Sequence, residues 1–150
     1  MSMNQILEAA HSFDGVLIVQ PAPDDGMPDI AHGDAFLYFA PDGVMPTTTQ
    51  PYATIVTKDY PGDTLSRLGD GRWRVNINVS RDVFEEITGE TPRTLSGERD
   101  FAAVDEWMPH PVYGAQGWLS AVLPAERTMP RVLELLAEAH AAARRRAERR

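Results

Sequence analysis

The chain has 150 residues, a formal net charge of −8, 43% hydrophobic and 24% charged side chains, the balance of an ordinary globular sequence of about one domain, taken as residues 1–150. It has no cysteine, which excludes disulfides, a thiol nucleophile and thiolate metal sites, and no apolar run near the ~20 residues of a membrane span. Five of the 14 basic residues stand in the terminal "ARRRAERR", so the preceding body is strongly acidic and ill suited to a phosphate backbone.

Taken in chain order, Ile6, Leu7, Ala10 and Phe13 recur at helical spacing and predict a short amphipathic helix from Asn4 to Phe13. Its start lacks the basic residues and unbroken apolar stretch of a secretory signal, so a cytoplasmic location is expected. "GVLIVQ", from Gly15, reads as a buried strand that stops at the proline cluster of "PAPDDGMPDIAHGD", a loop. Strands follow at Ala35–Ala40 and Tyr52–Thr57, joined through "PDG" and "MPTTTQP". "GDGRWRVNINVS" announces a turn on Asp70-Gly71 and a strand with Trp73, Val75, Ile77 and Val79 on one face. Arg72, Arg74, Asn76 and Asn78 alternate with them, which predicts a polar, solvated outer face. Ser80 caps a helix running through Ile87 and ended by Gly89. The stretch "TPRTLSGERD" is irregular, and Asp100 caps a short helical turn around "FAAVDEW". "WLSAVL" (Trp118–Leu123) is the fifth strand. Thr128 and Pro130 open a last helix with an apolar stripe of Val132, Leu133 and Leu136, and its arginines form a solvated helix end.

This order predicts an α+β fold: an antiparallel sheet of about five strands, containing Leu17, Leu37, Ile55, Val75 and Leu119, with helices packed on one face as a two-layer sandwich.

The runs "GDAFLYFAPDG", "QPYATIVTKDYPGDT", "RVNINVSRDVFEEITG" and "HPVYGAQGW" resemble an actinobacterial protein family of unknown function. The resemblance spans nearly the whole chain and implies no activity. More distantly, a β-hairpin, the strand "VNINV" with its helix, a strand led by Trp and a closing helix are similar to the YjbR-like proteins. That likeness implies a small α+β fold. YjbR-like proteins have been suggested to bind DNA, but this chain has Asn78, Ser80 and a lone Arg81 where they tend to carry basic residues.

Candidate chemistry is sparse. His11 and His140 lie beside apolar helix positions and read as boundary residues. Asp29, His32 and Asp34 are metal-ligand types, but as turn-forming residues in a loop without paired histidines they give no metal site. Nucleophile elbows and phosphate loops are absent. What remains is Lys58, the only lysine, together with Arg74, Asn76, His110 and Tyr113, and with Ser120 if the strand register agrees. These residues are expected to converge on one cavity, where Lys58 and Arg74 attract an anionic group. Lys58 beside Asp59 also reads as a weak surface pair, and "HPVYGAQGW" as a turn specified by packing, with Tyr113 and Trp118 offering area to bury.

The favoured reading is a non-catalytic binding module for a small anionic ligand or a partner protein, with no cofactor, nucleic acid or membrane, as a monomer or homodimer. One alternative is a small hydrolase or isomerase using His110 as acid/base. The other is a self-associating protein.

Overall fold

Serine, glycine and proline set the ends of the helices. A computed structural model describes residues 2–149, so Met1 and Arg150, the last of the terminal arginines, lie outside the described residues. Helix α1 (Met3–His11) opens with a capping box: Ser2 Oγ accepts from the Gln5 N–H at 3.3 Å, and Gln5 Oε1 accepts from the Ser2 N–H at 2.7 Å. Helix α2 (Arg81–Thr88) starts at Ser80, whose Oγ accepts from the Val83 N–H, and stops at Gly89, held at φ +79°. Helix α3 (Met129–Glu148) carries Pro130 in its first turn, where a missing N–H costs nothing. No helix among the described residues is long and apolar enough to cross a membrane.

The strands are β1 (Val16–Val19), β2 (Ala35–Phe39), β3 (Ala53–Val56), β4 (Arg74–Asn78), β5 (Trp107–Pro109) and β6 (Trp118–Val122). They form one open antiparallel sheet in the order β1-β2-β3-β4-β6-β5. The sheet thus has one strand more than the sequence reading expected. The additional β5 is three residues long, too short to show alternation, and its proline is tolerated because the strand lies at an edge. Before it, Asp100 organises a turn, accepting from the Ala102 N–H at 3.0 Å, but the helical turn expected around "FAAVDEW" does not form, and its Trp107 opens β5 instead.

One face of the sheet carries Leu37, Ile55, Val75, Ile77 and Leu119, each at most 1% exposed. Ile6 and Leu7 of α1, Phe84 of α2 and the stripe of α3 pack on it as one cluster. That stripe consists of Val132, Leu135, Leu136, Ala139 and His140, the positions three, four, seven and eight residues after Val132. Leu133, expected in the core, is only half-buried, because it sits to one side of this row. His140 is buried and satisfied, with Tyr52 Oη at 2.9 Å from Nδ1 and the Asp14 carbonyl at 2.7 Å from Nε2.

The opposite face departs from expectation. Arg74, Asn76 and Ser120 are at most 2% exposed, so the polar side of β4 is covered rather than solvated. The connection between β3 and β4 folds back over it, supplying Asp63 and Ser66 as partners of Arg74. The stretch from 110 to 117 covers the neighbouring end through His110.

Candidate functional site

Strand register brings the polar side chains together. Thr54, Asn76 and Ser120 are paired across β3, β4 and β6, and Val56, Arg74 and Val122 form the next row. A guanidinium withdrawn from water needs acceptors on every side. Arg74 Nε donates to Asn76 Oδ1 at 2.8 Å, and Nη1 donates to Asp63 Oδ1 at 3.0 Å and Ser66 Oγ at 2.9 Å. Nη2 donates to Asp63 Oδ2 at 2.6 Å, completing a two-pronged ion pair. Asn76 Oδ1 also accepts from Ser120 Oγ at 2.7 Å, and its amide donates to Thr54 Oγ1 at 3.0 Å.

His110 stands beside this network, 6% exposed. The backbone N–H groups of Val112 and Tyr113 both donate to its Nδ1, each at 3.0 Å. Nδ1 is therefore the bare nitrogen, and the neutral ring carries its proton on Nε2. Burial, and next the Arg74 guanidinium, push the imidazole down to about 4 against the opposing pull of Asp63, so the ring is neutral at pH 7. Arg74 Nη2 lies 3.2 Å from Nε2, which sets donor beside donor, and the Asp63 carboxylate is 3.8 Å away, beyond hydrogen-bond reach. The Nε2–H thus has no acceptor among the described residues.

Above this floor lies a cavity of about 670 Å³, bordered by Arg74, Asn76, Thr54, Asp63 and His110. Phe36, Tyr60, Tyr113 and Trp118 supply aromatic surface around it. Tyr60 is anchored from behind, its hydroxyl donating to the fully buried Asp34. Burial first, and then that hydrogen bond, raise the phenol, which stays neutral.

Of the residues singled out in the sequence, Arg74, Asn76, His110 and Tyr113 border one cavity, and Ser120 lies directly beneath through Asn76. Lys58 does not border it. Its ammonium donates to Asp34 Oδ1 and the His32 carbonyl, each at 2.9 Å, while Asp59 accepts from the Leu68 N–H instead of pairing with Lys58. Tyr113 is 54% exposed at the rim, its ring 4.9 Å from that of His110, so it is not the buried anchor expected of it. The loop "HPVYGAQGW" serves architecture and site at once. Gly117 takes φ +86°, and a Cβ on Gly114 would sit 3.0 Å from that of Pro109. Asp63, Tyr60, Thr54 and Trp118 were not foreseen as site residues. The signal for Asp63 was the arginine itself, since a central strand with a buried guanidinium requires a nearby carboxylate.

A family model described as a family of unknown function, DUF6194, matches residues 1–150, and the chain belongs to that family. No curated protein and no solved structure matches it.

Proposed function

We propose that this member of DUF6194 is a non-catalytic binding module that holds a small molecule in the cavity over the polar face of its sheet. The observation that carries the reading is the cavity's construction. A buried polar network forms its floor, aromatic rings form its walls, and donors led by the His110 Nε2–H are left for something that enters. The acid/base alternative is less well supported. The ring takes up no second proton until pH falls to about 4, and Nδ1, the nitrogen that would take it, is occupied by two backbone donors.

The setting we infer is cytoplasmic, which a core without cysteine suits because it needs no oxidising compartment to fold. An actinobacterial source is supported by the likeness of "QPYATIVTKDYP" and "HPVYGAQGW" noted above. The distant YjbR-like likeness is supported by the order of the antiparallel pair β2–β3, then β4 with α2, then β6 led by Trp118, and closing α3.

The test is a fragment screen followed by two-dimensional NMR of the labelled protein. Hits should move the amide signals of Thr54, Asp63 and Tyr113 and the Trp118 indole. Val56→Phe, which fills the cavity from β3, should abolish those shifts while leaving the helix signals in place. Hits that gather elsewhere, or that survive the filled cavity, overturn the proposal.

A further inference from the structure

The cavity floor is rich in donors and poor in free acceptors. The His110 Nε2–H has no acceptor among the described residues, as described above. Asn76 Nδ2 uses one of its two hydrogens on Thr54, and the Thr54 hydroxyl, having accepted that bond, keeps its own proton to give. Asn76 Oδ1 already receives Arg74 and Ser120, and each Asp63 oxygen already receives an Arg74 N–H. Charge is balanced in the same place. Arg74, the cation at the cavity, is neutralised by Asp63, and Lys58 behind Tyr60 is neutralised by Asp34. The protein's net charge of −8 adds a field that repels anions from any opening. Around the floor stand the rings of Phe36, Tyr60, Tyr113 and Trp118, which offer flat faces to a planar guest.

We propose that the guest is an uncharged, planar molecule that turns a carbonyl-type oxygen onto the His110 Nε2–H, with Asn76 and Thr54 as further donors. This rests on the cavity being a binding site, and it replaces the anion that the sequence reading expected with a neutral acceptor. An anion at this place would have to displace Asp63 from Arg74 or lie beside it with its charge unmatched.

The experiment titrates benzamide and benzoate, the same ring with a neutral or an anionic head, into labelled protein at pH 7. Benzamide should shift the Trp118 indole and the His110 ring signals and bind about tenfold more tightly than benzoate, the worth of roughly one hydrogen bond. His110→Asn should lose that tenfold, because an Asn Oδ1 still accepts the Val112 and Tyr113 N–H groups while the Nε2 donor is gone. In the unmutated protein, benzamide should also move the His110 Nε2–H resonance directly, a readout that does not depend on the variant folding. Benzoate binding equally or more tightly overturns the neutral class and leaves the cavity reading standing. Benzamide binding that ignores His110→Asn overturns the assigned contact. Binding in the cavity only by fragments of other classes overturns this inference alone, whereas no fragment in the cavity at all overturns the proposed function with it.

Discussion

At His110, one side chain connects loop geometry to cavity chemistry. Its Nδ1 gathers the two backbone N–H groups that begin the turn, and that obligation leaves the proton on Nε2, facing the cavity. The same surroundings make the fold sensitive to acid. The imidazole lies near 4 in the folded chain, below its ordinary 6.5, so the unfolded chain takes up the proton first as pH falls. Stability is therefore full above pH ~6.5 and declines through the window down to about pH 4, by on the order of 3 kcal/mol from this group. Urea unfolding at successive pH values should show that slope, and His110→Asn should remove this part of it. An unchanged slope in the variant contradicts the assignment. Alternation in "RWRVNINVS" was enough to put Arg74 and Asn76 on one face, and the observed pairing of Asn76 with Ser120 supplies the register that alternation alone leaves open. Asp63 was hidden because "DYPGDTLSRLGDG" has no period. Its place is set by the arginine it neutralises, which is tertiary information.

Among the elements, α3 shows how a sequence with surplus leucines leaves a choice that packing resolves. Leu133, Leu135 and Leu136 are all candidates for one stripe, and the sheet takes Leu135 and Leu136 at 1% exposure while Leu133 stays half-buried. Leu135→Ala and Leu136→Ala should each cost about 2–5 kcal/mol, and Leu133→Ala less than half as much. Equal losses at positions 133 and 135 in chemical denaturation contradict this packing. The start of α3 is tied down by Asp105, which accepts from the N–H groups of Ala125, Arg127 and Thr128 and from the Thr128 hydroxyl. Burial opposes ionisation there, but the Thr128 hydroxyl and the three amides outweigh it and hold the carboxyl down at about 2. Neither this tie nor β5 was legible in the sequence, because each joins segments that share no local pattern. Helix caps were legible, since Ser80 and Gly89 act within a few residues of themselves.

Across the whole molecule, charge is divided between an acidic body and a basic end. Arg144 is held by Glu148 at 2.9 Å and reaches Asp14 at 3.5 Å, while Arg145, Arg146 and Arg149 are exposed. Any contact with nucleic acid should run through those arginines alone, be indifferent to sequence, and disappear as salt rises from roughly 50 to 200 mM. Anisotropy of a labelled duplex checks this. Sequence-specific binding that survives removal of residues 144–150 contradicts it. The two-layer architecture followed from strand and helix order. The covering of the sheet's second face did not, and that covering is what turns a polar surface into a cavity.

Ligand recognition in this cavity depends most on which nitrogen of His110 carries the proton. A long-range ¹H–¹⁵N correlation spectrum of the unliganded protein reads this directly. The prediction is a neutral ring protonated at Nε2 and bare at Nδ1 at pH 7, with no titration until the pH nears 4. A ring protonated at Nδ1, or one that titrates near 6.5, contradicts it and removes the donor on which ligand recognition in this cavity is built.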